Sequence, residues 1–374
     1  MRKLFWLLCT ALSARLFYKA WGTSLDFTVY WNATHAWLLS ANSPYQYGSG
    51  GGGLVYKYPP WTIPYFVPFA VFPLSAAKIL WAGLEYACLI YVVKWVMDFG
   101  VSKTVAFAVA LCFWFIWQAH FWAGQVSLPL LALALWSLKR PLRSSSALLL
   151  VLFSAKVFSL VGLAGIWKRY RDPRTLAWCA ALVLFPLAGV LGVMRWHGLS
   201  GDPILLLRQW VQSAASGDKD LGATIVRGLL NHGFNAGVLR WLKTDLNDRY
   251  AEFLAFFGWV AFFSPLWHHF SKKMSESEKT LGWIGVATIA HPLAWDHTFV
   301  LVYPLCAVAM SRALDSGRRL AIFFAVLGPV CIGVFLPNII GNALAHPLEY
   351  FSIKSWGVVS SAAGLIIANR ANPS

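Results

Sequence analysis

The chain has 374 residues, 58% of them hydrophobic and only 12% charged, with a formal net charge of +16. A soluble domain carries about twice that charged fraction, so a water-soluble globule is excluded, and repeated apolar runs near 20 residues define an all-α, multi-pass transmembrane bundle. The positive charge lies in short loops between apolar runs. It reads as the signal that keeps loops on the cytoplasmic side, not as a nucleic-acid surface.

The first apolar segment, Leu4 to Ala20, contains Arg15 and lacks a small-residue cleavage site before Trp21. It reads as a retained helix running outward. Residues 21–77 then form a first outer loop bearing juxtamembrane helices. Its charges are few, and the prolines from Pro59 to Pro73 oppose a straight span and suggest a broken or re-entrant segment. Helix 2 (about 78–96) returns inside. Helices 3 and 4 (104–121 and 125–138) make a hairpin with its outer tip at His120 to Gln125, ending inside at Lys139-Arg140.

Lys168-Arg169-Tyr170-Arg171 follows soon after that basic cluster. One pass between two basic loops violates the positive-inside rule, whereas two short helices with Lys156 near the outer turn satisfy it. Each would have about 12 residues and rise about 18 Å, short for a lipid-exposed span and therefore sheltered by protein or thinned bilayer. A single amphipathic pass is the alternative. A helix over 174–194 leads to a long outer loop, 195–249. The remaining helices turn at Lys272-Lys273, at the His291 to His297 element, at Arg318-Arg319 and at Pro337-Asn338. The total is about 12 transmembrane helices in a single integral domain spanning 1–374, with both ends inside. The six cysteines all lie in apolar runs without CxxC spacing, so packing outweighs disulfide or metal roles.

Threaded this way, Asp26, His35, Tyr58, Gln125, Lys156, His291, Asp296 and His297 share the outer side. Asp26 opens an amphipathic helix with Tyr30, Ala33, Trp37 and Ala41 on one face. A carboxylate among aromatic residues can serve as general base, although a solvated helix cap also explains it. Tyr45 and Tyr58, the latter in Tyr-Pro-Pro, are pocket candidates, and an interfacial turn explains Tyr58 equally. His291-Pro292-Leu293-Ala294-Trp295-Asp296-His297 gathers two imidazoles, a carboxylate and an indole at membrane depth, where ionisable residues are functional suspects. The histidines are six apart around Pro292, which is not the helical i, i+4 spacing of a zinc pair. Phosphate or sugar-hydroxyl contacts suit His291, Trp295, Asp296 and His297 better, and no metal or cofactor is expected. Lys156 suits a carboxylate or a phosphate, with snorkelling as the plain reading. Among the loop arginines, Arg208 and Arg227 are the candidates for phosphate.

Asp26 with Tyr30, Asn42-Ser43-Pro44-Tyr45, Tyr58-Pro59-Pro60, Gly124-Gln125, Lys156 and the 291–297 element, in this order, resemble glycosyltransferase family 87. Its members are GT-C-fold, polyprenol-phosphate-mannose-dependent α-mannosyltransferases. The chain departs from the family pattern at Val157, where proline often follows the lysine, and at His291-Pro292, where Ser-Pro is common. The resemblance implies transfer of a sugar, mannose in the family, from a polyprenyl-phosphate donor to a glycolipid or glycan acceptor. Asp26 would be the general base, and His291, Trp295, Asp296 and His297 would line the donor pocket. It also implies an inverting reaction at the outer, periplasmic face of the inner (plasma) membrane, serving glycolipid or cell-envelope synthesis. A lipid-linked glycan flippase or carrier, and a non-catalytic envelope-assembly protein, are the alternatives. A carrier usually shows repeat symmetry, which this sequence lacks, and a non-catalytic relative would be expected to lack Asp26.

Overall fold

The computed structural model describes residues 2–39, 43–45, 54–139, 146–150, 156–215, 229, 231–242 and 249–370. All regular structure among the described residues is helical. Helix α1 is Arg2–Gly22 and α2 is Leu25–Leu39. The proline-rich stretch forms a 3₁₀ helix, Pro60–Phe66, and one further turn to Ala70. It is a broken segment, as its prolines require. Next come α3 (Leu74–Asp98), α4 (Lys103–Cys112), α5 (Trp114–Ala123) and α6 (Ser127–Lys139). A 3₁₀ run, Val157–Arg171, precedes α7 (Pro173–Trp196).

The stretch 195–249, expected as a long outer loop, is not bare. It contains α8 (Pro203–Ala215) and α9 (Phe234–Leu242). Then follow α10 (Arg249–Phe270), α11 (Glu276–Ala290), a 3₁₀ turn (Asp296–Val302), α12 (Tyr303–Ser316), α13 (Arg319–Gly333), α14 (Asn342–Tyr350) and α15 (Ile353–Asn369).

Three described segments are long and apolar enough to cross a membrane: Leu74–Asp98, Pro173–Trp196 and Asp296–Ser316. The count rises to five if each of two bent pairs is one span, α4 with α5 (63°) and α14 with α15 (69°). By length and composition the described helices therefore fall short of the twelve expected. Expected helix 3 is one of the bent pairs, broken after Cys112, and several other segments are short. The spans differ in setting. Only 11% of the most apolar window of α7 is buried, against 78% for Asp296–Ser316. The second is central. The first presents side chains such as Phe185, 84% exposed, which suits lipid and not water.

The basic loops meet at one end of the molecule. Lys139 pairs with Asp98 at 2.9 Å, Arg169 with Glu276 at 3.3 Å, and Arg312 with Glu278 at 3.0 Å. Glu278 also closes a capping box with Ser275 at the start of α11, which satisfies two orphan backbone donors. The opposite end of α11 delivers His291. Two polar contacts join α1 to its neighbours: Arg15 Nε donates to Gln118 Oε1 at 3.2 Å, and Tyr86 donates to Ser13 Oγ at 2.8 Å.

The region between the two basic clusters is now legible. Lys139 lies at the basic end, Lys156 bonds Ser127 at the other end of α6, and Arg169 bonds the carbonyl of Ser137 back at the basic end. Lys156 and Arg169 thus lie at opposite ends of α6, so the described 156–171 limb runs back toward the basic end. The outgoing limb lies mostly outside the described residues. The return limb is 3₁₀ and not α. It is kinked at Ile166, whose φ of −115° and ψ of 19° depart from helical values.

The limb lies against α11 because two glycines let it. A Cβ on Gly165 would fall 2.5 Å from Thr280 Oγ1, and one on Gly162 would fall 3.2 Å from Ile284. Gly165→Ala should therefore lower the melting temperature in detergent by several degrees, since overpacking costs roughly 1–3 kcal/mol. Gly83→Ala, where no atom lies within 4 Å of the added Cβ, should leave it unchanged or raise it. Equal effects from the two would disprove the packing argument.

Candidate functional site

Asp26 lies in the first turn of α2, two residues after Ser24, whose φ of +43° makes the sharp exit from α1. The expected burial pattern of α2 holds at Tyr30, Ala33 and Trp37, which are buried, and Ala41 lies outside the described residues. Phe27 stacks on Trp81 at 4.9 Å and meets Phe69 edge-on at 5.8 Å. Tyr30 packs against Tyr56, Tyr58, Phe66 and Trp81. Each aromatic pair of this kind adds about 0.5–1.5 kcal/mol beyond its burial, so Asp26 sits on a stiff platform.

A single turn, Gly124–Ser127, organises the charges. Gly124 is left-handed (φ +68°), and a Cβ there would come within 3.0 Å of Phe27 and 3.1 Å of Ser24. Only glycine meets both demands. The close approach lets Gln125 donate its amide to Asp26 Oδ2. Two residues on, Ser127 Oγ accepts from Lys156 Nζ at 2.8 Å. Carboxylate and ammonium are thus presented by the same four residues. Lys156 is in the turn between the two limbs of the hairpin. Burial pulls its ammonium down to about 8, and the Asp26 carboxylate pulls it partly back up.

Tyr30 and Tyr58 share a hydroxyl hydrogen bond of 2.8 Å, and Tyr45 donates to the carbonyl of Tyr58 at 2.7 Å. Burial pushes all three phenols up, with Tyr58 and Asp26 adding to the effect at Tyr30. They stay protonated and cannot act as bases at neutral pH.

The 291–297 element is held from outside by residues 231–235. Asn231 donates to the carbonyl of Pro292 at 2.7 Å and accepts from the backbone of Ala294 at 3.1 Å. His232 N–H donates to the carbonyl of Ala294 at 2.9 Å, and Asn235 donates to that of Ala290 at 3.1 Å. Gly233 permits this contact, since a Cβ would sit 2.7 Å from the His291 carbonyl oxygen. His291 Nδ1 accepts from the backbone of Leu293 at 3.0 Å, which places the ring proton on Nε2. Burial, then Lys156, pull this imidazole down to about 3, so it is a neutral hydrogen-bond donor.

Asp296 Oδ1 is bonded to Lys354 Nζ and lies 2.8 Å from His232 Nε2. Trp295 meets His297 edge-on at 5.8 Å. The carbonyl of His297 lies 3.3 Å from His120 Nδ1, and His120 Nε2 lies 3.1 Å from Glu85 Oε1 in a fully buried pair.

The structure thus brings together Asp26, Gln125 and Lys156, with His291 and His297 within electrostatic reach of Lys156. Tyr30, Tyr45 and Tyr58 form the adjacent aromatic wall. His35 is committed elsewhere, bonded to the carbonyl of Ala70 at 3.0 Å and stacked on Trp31. Arg208 is exposed on α8, and among the described contacts it reaches none of these residues. Arg227 lies outside the described residues. Arg240, another arginine of the 195–249 stretch, is buried and donates to the carbonyls of Asn231 and Glu349, each at 2.9 Å. Lys354 and His232 went unnoticed in the sequence. The one available signal was a lysine just inside an apolar run. A cavity of about 270 Å³ lies at the opposite, basic end, lined by His269, Lys272, Lys273 and Arg370, away from this chemistry.

Fold and site together define a polytopic helical membrane protein with a carboxylate, an ammonium and neutral imidazoles gathered at one end of the bundle. Residues 56–201 match the model of glycosyltransferase family 87, which bears out the family resemblance. The match covers Tyr58, Gln125 and Lys156 but neither Asp26 nor the 291–297 element. No curated protein and no solved structure matches the chain.

Proposed function

We propose that this chain is a GT-C-type glycosyltransferase that moves a sugar, mannose by family resemblance, from a polyprenyl-phosphate donor to a glycolipid or glycan acceptor. The reaction takes place at the outer (periplasmic) face of the inner (plasma) membrane. The observation that supports this most is the shared turn Gly124–Ser127, which holds Asp26 through Gln125 and Lys156 through Ser127. Base and phosphate-binding cation are then fixed relative to each other, which is the positioning that group transfer needs.

The chemistry balances without a further reactant. The acceptor hydroxyl oxygen attacks the anomeric carbon, and Asp26 takes its proton. The bond from that carbon to the phosphate oxygen breaks, and its electron pair leaves on the phosphate. Lys156 and the Nε2–H of His291 stabilise the growing charge. Attack from the face opposite the leaving group inverts the anomeric centre, so a β donor gives an α product. Nucleotide sugars are not generally available outside the cytoplasm, which favours the lipid-linked donor.

The test is a transfer assay in nanodiscs with radiolabelled polyprenyl-phosphate-mannose and total host lipid. A new labelled lipid, formed equally in EDTA, is the expected result. Loss of product in EDTA would replace the cationic phosphate site with a metal. Donor moved across the bilayer without product would make the protein a carrier.

A further inference from the structure

Lys354 is fully buried in the first turn of α15. A cation at a helix N-terminus opposes the macrodipole, and a buried ammonium is costly unless it is paired. Neither the helix nor the core asks for lysine here. Its partners are Asp296 Oδ1 and, at 2.9 Å, His232 Nε2. His232 is also fully buried, and burial followed by the Lys354 charge pulls its imidazole down to about 4, so it is neutral.

The surrounding structure locks this trio. Ser352 holds a left-handed backbone (φ +57°) at the bend between α14 and α15. Its hydroxyl accepts from Arg240 at 3.0 Å and donates to the carbonyl of Gly233 at 2.9 Å. Ser355 donates to the carbonyl of His232 at 2.6 Å. Strain of this kind persists where the surroundings over-determine it. The whole arrangement aims one carboxylate.

Ammonium, carboxylate and neutral imidazole sum to zero charge, so the trio has no cation to spare for a phosphate. Lys354 is fully buried and its charge is already matched by Asp296, so it is not presented to a phosphate. The Asp296 side chain keeps 32% of its surface exposed, and among the described residues Oδ2 has no hydrogen-bond partner. A carboxylate oxygen is an acceptor only; it repels phosphate and suits hydroxyl groups.

We propose that Asp296 recognises the transferred sugar through its hydroxyls, and that Lys354 and His232 are positioning residues that hold its carboxylate toward them. This rests on the glycosyltransferase reading and divides the 291–297 element, giving Asp296 to the sugar and leaving His291 and Lys156 to the phosphate.

The test compares two lipids in nanodiscs, polyprenyl-phosphate-mannose and bare polyprenyl phosphate. Asp296→Asn and Lys354→Met should weaken binding of the mannosylated lipid at least tenfold and leave the bare lipid within twofold. Lys156→Met should weaken both. Lys354→Arg, which keeps the ion pair, should recover much of the lost affinity. It also serves where Lys354→Met does not fold. Donors lacking single hydroxyls should bind wild type more weakly, and the loss at one hydroxyl should vanish in Asp296→Asn. Parallel losses for both lipids in Asp296→Asn, or no loss for either, would overturn the assignment while leaving the transferase reading intact. Wild type that binds neither lipid would overturn that reading and the assignment with it.

Discussion

Asp26→Asn should abolish transfer while the protein still folds and still binds the lipid donor. Asparagine keeps the shape of the side chain, and its carbonyl oxygen can still accept from Gln125, so the start of α2 and the turn at Gly124 have no reason to move. What is lost is the proton acceptor. General-base catalysis contributes roughly 10²–10⁴ in rate, and the buried phenols of Tyr30 and Tyr58 cannot replace it because burial pushes both up. The measurements are the initial rate of labelled product, donor affinity and melting temperature, taken on one preparation. Full turnover in the variant would remove Asp26 from the mechanism. Lost donor binding at an unchanged melting temperature would make it a binding group instead.

The fold was legible where sequence periodicity and charge speak locally. The buried face of α2, the broken Pro60–Ala70 segment and the convergence of Lys139, Arg169 and Arg312 at one end all follow from patterns a few residues wide. The return limb from Lys156 was legible as a pass but not as 3₁₀. Periodicity over 15 residues carries the direction of burial, whereas the close packing of Gly162 and Gly165 on Ile284 and Thr280 joins residues more than a hundred positions apart. The same holds for the break between α4 and α5, which no proline or glycine marks.

The site divides along the same line. Asp26, Lys156 and His291 are conspicuous because a charged or titratable side chain among apolar neighbours is costly. The turn that joins two of them is not conspicuous, since Gln125 and Ser127 are ordinary residues until Gly124 is seen against Ser24 and Phe27. Arginines in a polar loop cannot be ranked from sequence. Arg208 proves exposed, whereas Arg240 clamps the 231–235 segment to the α14–α15 bend. Lys354 escaped notice because its partner, Asp296, is 58 residues away.

Lys156→Met should reduce kcat/KM by roughly 10²–10³-fold, the loss that follows removal of one preorganised group from a developing oxyanion. Methionine keeps the length of the stem, so packing against α6 should survive while the charge and the bond to Ser127 disappear. The pH profile separates this from a structural effect. Burial holds the free Lys156 ammonium near 8. Below that pH the cation is present, and it is lost as pH rises through it. Wild-type kcat/KM, which reports the free enzyme, should therefore fall above about pH 8. In kcat the fall should lie at higher pH, because a bound phosphate stabilises the ammonium. Lys156→Met should be low and lack this alkaline limb. A wild-type profile flat to about pH 10, the ordinary lysine range, together with full activity in Lys156→Met, would reduce Lys156 to a cation that only reaches the headgroup layer. The shared turn would then position the base alone.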